Sequence, residues 1–475
     1  MNLYTLTEDL RLPCNLPDCE ITGVTENIDN VKKGSIFVAV RGESFDGNDF
    51  IERAFLQGAV CVLSEEESVN PFVIKTKDAR LALAELCSAF YSHPERKLKI
   101  TGITGTNGKT TVCEYLTYIL ACSGKKCGAI GTLGVKNGEY FSDTGYTTPS
   151  PEILYKELDS FVKSGCEYCV MEVSSQALQQ KRTAPINFLL AIFTNIGTDH
   201  LDRHGSFENY LSAKALLFSQ SEAALINVDD VNSLRISESC RGQIYTFSAK
   251  DRYSDFSAKD IRYPQNGISY IFFDKRNIIP VSSPVQGNFS VYNTLAAFSA
   301  AEILGVSPGI FPEIAKTLPV IKGRMQKITG NGINVFIDFA HTPEALQSVL
   351  SALREGKGNR LFCVFGCGGD RDKSKRPVMG EIAARYSDVV IITSDNPRNE
   401  SPDDISEDIL KGIKNKRNVI VENDRKRAIE TALSKAVEGD TVLVAGKGHE
   451  EYQLIGDKKY TFSDEMTVKD ILGLI

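Results

Sequence analysis

What the chain lacks narrows its class before any motif is read. No apolar run approaches the roughly 20 residues that a membrane-spanning helix requires. The opening stretch, MNLYTLTEDLRLP, carries acids and has no apolar core, so it does not read as a secretory signal. No internal repeat and no low-complexity tract occurs in the 475 residues. An excess of positive charge is missing too: the net charge is −7, which excludes a general nucleic-acid or membrane-surface binder. An anionic ligand must then be met by locally concentrated Lys, Arg and helix N-termini. The twelve cysteines supply no metal pattern. One C-x-x-C (Cys166, Cys169) and one C-x-x-x-C (Cys363, Cys367) stand without a second pair or nearby histidines. Both lie in or beside apolar runs, so buried free thiols in a reducing, cytosolic compartment are expected.

The composition that remains, 42% hydrophobic and 24% charged, suffices for a core in each of about three domains. The most informative stretch is Lys99 to Thr111, KITGITGTNGKTT. Its β-branched start predicts a buried strand, and the following TVCEYLTYILAC has apolar residues at helical spacing. Between them Gly105, Thr106, Asn107 and Gly108 turn into Lys109, Thr110 and Thr111. Strand, glycine turn, Lys-Thr and helix make a phosphate cradle: backbone N–H groups converge on anionic oxygens and the helix N-terminus adds partial positive charge. Lys109 is expected to reach the terminal phosphates and the Thr110 hydroxyl to hold Mg²⁺. The glycines fall at 102, 105 and 108, with Ile103 where G-x-x-x-x-G-K-[ST] has its first glycine. A glycine-rich turn with an unremarkable lysine is the plainer alternative, but the strand and helix favour a nucleoside triphosphate.

Residues 1 to 97 alternate short strands (Ser35–Val40, Ala59–Ser64, Phe72–Lys75) and helices (Asn48–Gln57, Ala79–Tyr91), with His93–Lys97 as a linker. A second domain, 98 to 322, continues with a hydroxyl-rich loop from Gly145 to Glu152. A strand then ends on Glu172, Ser174 and Ser175, where a carboxylate beside a phosphate loop is placed for Mg²⁺. The next strand ends in Thr194, Asn195, Asp199, His200, Asp202 and His204, suggesting metal and phosphate chemistry. Lys214, on the helix after it, reads as a surface lysine. The chain then becomes β-rich and charged to about 282, as an inserted or edge hairpin would, before a helix carrying Asn288, Ser290 and Asn293. The third domain, 323 to 475, alternates strands and helices, implying a second parallel sheet. Its functional loops should lie at strand C-terminal ends: Asp338 and His341, GCGGDRDKSKR, SDNPRNE and GKGHE.

Taken in order, FVAVRG, DGNDFI, GTNGKTT, TTPSPE, MEVSS, FTNIGTDHLDRHG, YLSAKALLF, VYNTLAA, GRMQ, DFAHTPEAL, FGCGGDRDKSKRP, DNPR and AGKGHE resemble the Mur ligases. These are ATP-dependent enzymes that add amino acids to UDP-N-acetylmuramoyl peptides in peptidoglycan precursor synthesis. The resemblance spans nearly the whole chain, and the shifted phosphate-loop glycines also fit it. It implies an α/β fold of three domains: a smaller N-terminal UDP-binding one, a central P-loop ATPase-like parallel sheet and a C-terminal Rossmann-like one. It implies that ATP activates a carboxylate as an acyl phosphate, which an amine then attacks.

By the same resemblance, Lys109 and Thr110 hold the ATP phosphates, and Glu172, His200 and Lys214, the last as a carbamate, bind Mg²⁺. Asn293, Arg324, Asp338 and His341 surround the nucleotide. Thr147, Thr148, Ser174, Gln180 and Arg182 grip the muramoyl-dipeptide, while Arg371, Asp395, Asn396, Arg398, Gly446 and Glu450 form the pocket for the incoming amino acid. DNPR is the version associated with meso-diaminopimelate, whose distal carboxylate Arg398 could clamp bidentately. The partners expected are these small-molecule substrates, with no nucleic acid and no membrane insertion, and the protein is expected to be a monomer. Some positions depart from the family pattern: Asn27-Ile28-Asp29 for Asp/Asn-Ser-Arg, Gln176 for His, Ser290 for Asn, Gln326 for Glu and Glu465 for Arg. A lysine-adding or paralogous ligase, a P-loop switch, and a non-catalytic nucleotide-sugar-binding paralogue are the alternatives weighed.

Overall fold

A computed structural model describes residue 6 and residues 20–42, 45–197, 204–250, 253–264, 267–355 and 359–475. The chain divides into two compact units: 1–105 with 119–193 and 208–245, and 106–118 with 194–207 and 246–475.

In the first unit, strands β1 (Gly23–Thr25), β2 (Ser35–Val38), β3 (Cys61–Ser64) and β4 (Val73–Lys75) form a four-stranded parallel sheet in sequence order. Every residue of β2 and β3 is buried, so these strands read as continuous apolar runs. The second sheet of this unit uses β5 (Lys99–Thr104), β6 (Cys127–Gly131), β7 (Gly134–Asn137), β8 (Tyr140–Ser142), β9 (Tyr168–Glu172), β10 (Leu190–Phe193) and β11 (Ala223–Asn227). Their order is β11-β10-β5-β9-β6-β7-β8, parallel except for the β6–β7 and β7–β8 pairs. The strands that end in the candidate residues are therefore central neighbours: β9 pairs Glu172 with Ile103 of β5. Ligand groups gather at such carboxyl ends because the connecting loops open there.

The chain passes from the first unit to the second within β12 (Gln243–Ser248), and the second unit contains β13 (Phe256–Arg262), β14 (Ile268–Phe273) and β15 (Ile278–Ser283). The expected hairpin is thus four strands, with β13, β14 and β15 antiparallel. The C-terminal sheet adds β16 (Gln326–Gly330), β17 (Ile333–Asp338), β18 (Leu361–Phe365), β19 (Val389–Ile392), β20 (Val419–Val421) and β21 (Thr441–Ala445), in the order β16-β17-β21-β18-β19-β20. All pairs but β16–β17 are parallel, and two apolar clusters pack its faces, one around Leu346, Met379 and Ile409, the other around Ile429, Leu433 and Val468. A last hairpin, β22 (Tyr452–Ile455) and β23 (Lys458–Thr461), follows. Cys166, Cys169, Cys363 and Cys367 are buried free thiols, as their apolar settings required. Among the described residues no helix is long and apolar enough to cross a membrane.

Candidate functional site

The phosphate loop is built for close approach. Gly105 and Gly108 have φ of +155° and +88°, and a methyl group at Gly108 would lie 2.5 Å from the Asn293 side-chain oxygen. Asn293 itself is buried in the second turn of helix Asn288–Ile303, so it faces the loop rather than capping the helix; Ser290 donates back to the Gln286 carbonyl at 2.6 Å. The loop is held from the segment after β10: Asn195 accepts the Asn107 amide on its side chain at 3.0 Å, and the Thr194 hydroxyl donates to the Asn107 carbonyl at 2.6 Å. The Gly197 amide donates to the Thr106 hydroxyl at 2.9 Å. Lys109 opens helix Lys109–Cys122 and donates to the Thr106 carbonyl at 3.0 Å, curling over its own loop. Thr111 lies on the same first turn.

Arg324 brings its guanidinium 3.2 Å from the Thr110 hydroxyl and lies over the Phe339 ring. Its loop is tied down by Asp338, whose two oxygens accept the Met325 and Ala340 amides at 2.7 and 2.8 Å. Burial pushes the Asp338 carboxyl up, opposed by Arg324 and by those two amides. A residue expected at the nucleotide thus also sets the left-handed turn at Met325, φ +44°. His341 directs Nδ1 to the Phe339 carbonyl at 2.7 Å and packs on the same ring.

In the other unit, Glu172 is 1% exposed at the end of β9. Its carboxylate accepts the Thr132 amide at 2.8 Å and the Thr132 hydroxyl at 3.2 Å, and Thr132 in turn meets the Thr147 hydroxyl at 2.9 Å. A methyl group at Gly131 would sit 2.4 Å from Glu172 Oε1, so the bare backbone there makes the carboxylate's seat. Thr148 donates to the Glu172 carbonyl at 2.9 Å and accepts the Ser174 amide at 3.0 Å. Arg182 spans the group, donating to Gln180 at 2.6 and 3.0 Å and to the Thr148 carbonyl at 2.6 Å. Thr147, Thr148, Glu172, Ser174, Gln180 and Arg182 are therefore brought together, with Thr132 as a member that sequence reasoning missed.

Lys214 corrects the sequence reading. Far from the surface, it is 2% exposed, donates to the Gly105 carbonyl at 2.9 Å and lies 4.5 Å from the Tyr210 ring centre. Tyr210, Leu211, Ala213, Leu217 and Phe218 of its helix are buried with it, so Lys214 lies on the enclosed face of an amphipathic helix whose other face, with Glu208 and Leu216, is exposed. Asp199, His200 and Asp202 lie outside the described residues, while His204 is buried.

The loops of the C-terminal sheet form a second constellation. Asp395 and Asn396 follow β19, and Gly446, with φ +110°, follows β21; a methyl group there would lie 2.7 Å from Asp395 Oδ2. Between them stands Lys447, fully buried and not singled out by sequence. It donates to Asn396 at 3.0 Å and to Glu450 at 2.8 Å, with Asp395 at 3.8 Å. Asn396 also donates to Glu450 at 3.0 Å. Arg398 has φ +51°, and one arm of its fork is fixed on the Gly369 carbonyl at 2.8 Å. The loop at 366–371 is stapled to this one: Gly369 donates to the Asn396 carbonyl at 2.9 Å, and buried Arg376 joins Glu400, Asp408 and the Gly368 carbonyl. Arg376 holds the Glu400 carboxyl down at about 2. Arg371 stays exposed at the tip, donating to the Asp370 carbonyl at 3.1 Å.

Three departures also have local accounts. Asn27 caps a short 3₁₀ turn by accepting the Asp29 amide at 3.0 Å, and Asp29 pairs with Arg53 at 2.8 Å. Gln326 accepts the Gly323 amide at 2.8 Å and, against burial and after Lys469, helps to hold the Glu465 carboxyl below its usual range. Where the family pattern has a glutamate and an arginine, this chain brings together an amide and a carboxylate.

A phosphate cradle, a buried carboxylate on the neighbouring strand and a second nucleotide-binding-type sheet define an ATP-dependent acid–amine ligase architecture. Family models describing the Mur ligase catalytic domain, the Mur ligase middle domain and the Mur ligase glutamate ligase domain match residues 20–91, 103–301 and 323–448. The UDP-N-acetylmuramoyl-L-alanyl-D-glutamate–2,6-diaminopimelate ligase of Clostridioides difficile is 40% identical over 462 residues, covering 96% of this chain and 95% of the relative. A solved structure of a ligase of that name has a TM-score of 0.72 at 31% identity, covering 99% of this chain and 98% of the other. The MurF ligase of Thermotoga maritima in complex with ADP shares the fold, with a TM-score of 0.64 at 21% identity over 90% and 94% of the two chains. The chain belongs to the Mur ligase family.

Proposed function

We propose that this protein joins meso-diaminopimelate to UDP-MurNAc-L-Ala-D-Glu at the cost of one ATP, in peptidoglycan precursor synthesis. The observation that carries the choice of amino acid is Arg398, pinned by one arm beside the Asp395–Asn396–Lys447–Glu450 network. The pinned fork presents a cation for a distal carboxylate, and the network's acids outnumber its lysine, leaving negative charge for an ammonium group.

The chemistry follows from the difficulty of acylating an amine with a carboxylate. The dipeptide's carboxylate oxygen takes the γ-phosphoryl group of ATP, the bond from that phosphorus to the β–γ bridging oxygen breaks, and ADP leaves. The acceptor ammonium gives up a proton to solvent, its nitrogen attacks the acyl carbon, and the second proton that this nitrogen loses leaves with the phosphate. The tetrahedral intermediate collapses with cleavage of the carbon–oxygen bond to phosphate, leaving an amide and inorganic phosphate. Catalysis is positioning and neutralisation of negative charge. Lys109, the amides of residues 105–111 and Arg324 serve the phosphates, with Asn293, Asp338 and His341 around the nucleotide. Thr147, Thr148, Ser174, Gln180 and Arg182 hold the dipeptide. Arg371, Asn396, Gly446 and Glu450 complete the acceptor pocket.

Thr110 and Glu172 are the hard oxygen donors that Mg²⁺ takes, and the seat at Gly131 fixes the carboxylate for it; His200 is a further candidate. A Mg²⁺ held there would neutralise phosphate charge. Lys214 would join them only as a carbamate, because an ammonium repels a cation; its burial against the Gly105 carbonyl supports a role at the phosphate loop rather than on the surface. The domain limits proposed are 1–97, 98–322 and 323–475, and the protein is proposed to act as a cytoplasmic monomer.

The test is a substrate panel with ATP, Mg²⁺ and UDP-MurNAc-L-Ala-D-Glu, read by phosphate release and product mass. Phosphate should appear only with an acceptor amine, and diaminopimelate should exceed lysine. Turnover with lysine alone would overturn the role of Arg398, and ATP hydrolysis without any amide product would point to a switch instead. Arg398→Ala should raise the KM for diaminopimelate far more than that for ATP.

A further inference from the structure

Arg425 and Asp464 form a fully buried ion pair that no step above uses. Arg425 Nε and one terminal nitrogen donate to the two carboxylate oxygens at 2.8 Å each. That nitrogen also donates to the Ala445 carbonyl at 2.9 Å, and the other donates to the Ser394 carbonyl at 3.3 Å. A buried ion pair is weak evidence for stability, since desolvation offsets much of the attraction. Helix electrostatics do not explain the arginine either. It is the first residue of helix Arg425–Lys435, where a cation opposes the dipole. The informative fact is where its donors go.

Ala445 is the last residue of β21, and Ser394 lies two residues beyond β19, two strands away across β18. The next residues along the two loops are Gly446 and Lys447 on one side, Asp395 and Asn396 on the other. The fit between these loops is tight: Gly446 allows no side chain against Asp395, and Lys447 reaches Asn396 at 3.0 Å. The negative charges of Asp395 and Glu450 also favour the Arg425 cation from the pocket side. One planar fork thus ties together the roots of both loops, and Asp464, which opens helix Asp464–Ile471, fixes its plane.

We propose that Arg425, oriented by Asp464, is a positioning residue for the acceptor pocket: it sets the separation of the Ser394 and Ala445 carbonyls and hence of Asp395 and Asn396 from Lys447 and Glu450. This rests on the reading that the pocket takes the incoming amino acid.

The experiment measures steady-state kinetics of the full-length protein, varying diaminopimelate, ATP and UDP-MurNAc-L-Ala-D-Glu in turn. Arg425→Lys keeps the charge but loses the planar fork, and Asp464→Asn keeps the shape but loses one acceptor. Both should raise the KM for diaminopimelate by about tenfold or more, with the other two KM values within about twofold. The double variant Arg425→Met with Asp464→Leu leaves no uncompensated charge and should stay folded by circular dichroism while showing the same selective KM rise. Three KM values rising together, a fall in kcat alone, or loss of the fold in all three variants would make the pair a packing element and overturn the proposal. Wild-type turnover with diaminopimelate separates the two levels: its absence counts against the pocket reading, whereas its presence with an unchanged KM in Arg425→Lys counts against this inference.

Discussion

Substituting Gly131 by alanine tests the seat of Glu172 directly. Gly131 has no left-handed backbone requirement, so the added methyl acts only through space. It would lie 2.4 Å from Glu172 Oε1, while carbon and oxygen in contact need more than 3 Å. The carboxylate cannot retreat freely, because Thr132 holds both of its oxygens. A displacement of about 1 Å is therefore required, and such a shift of a catalytic group costs on the order of 10²-fold in rate. Overpacking at a buried strand end costs roughly 1–3 kcal/mol besides. The assay is phosphate release with all three substrates, titrated with Mg²⁺, alongside thermal unfolding. A fall in kcat of about 10²-fold and a raised Mg²⁺ requirement are expected, with the KM for the acceptor unchanged. Gly309→Ala, where the methyl meets nothing nearer than the Ser307 hydroxyl at 3.8 Å, is the control. Wild-type turnover and Mg²⁺ dependence in Gly131→Ala would refute the proposed role of Glu172 as a Mg²⁺ ligand.

Other expectations follow from the same geometry. Gly108→Ala meets both a φ of +88° and the Asn293 oxygen at 2.5 Å, so it should abolish ATP-dependent turnover while the isolated UDP substrate still binds by calorimetry. Gln326→Glu should destabilise by about 1 kcal/mol through like-charge contact with Glu465, and adding Glu465→Arg should recover that loss; a zero coupling energy in denaturant titrations would dismiss the contact. Glu302 is raised to about 8 by burial and by its hydrogen bond with Asp274. A carboxyl raised on folding stabilises fully below its unfolded value, near 4.5, and that stability is lost as pH climbs through about 8. Unfolding free energy should fall across this window by about 1–2 kcal/mol, discounted because Glu302 is only partly buried and shares its titration with Asp274. Glu302→Gln, which mimics the protonated form, should flatten the dependence; an unchanged slope would assign it to other groups.

The sheets are legible because several candidate residues sit at the polar end of a continuous apolar run, as at Glu172 after Tyr168–Met171 and Asp395 after Val389–Ile392. That pattern is written along the chain. What residue type hides is that a lysine belongs to the enclosed face: Tyr210, Leu211, Ala213, Leu217 and Phe218 mark that face by helical spacing, but Lys214 reads as solvated because lysine usually is. Lys447 and Thr132 escaped notice for a related reason. A lysine between glycines and a threonine in a turn are common surface residues until their partners, distant in sequence, are brought in. Arg425 and Asp464, 39 residues apart, carry no local signal at all. The antiparallel strand Gln326–Gly330 and the hairpin 452–461 are short and polar, so they lacked the apolar run that marked the others.

The meeting of Gln326 with Glu465 makes the two positions one unit for substitution. The Gln326 oxygen accepts the Gly323 amide, which leaves its amide protons for the Glu465 carboxylate. A glutamate at 326 could still serve Gly323 but would set two carboxylates together at the root of the loop that carries Arg324. Position 326 is therefore open to an acid only when position 465 is not.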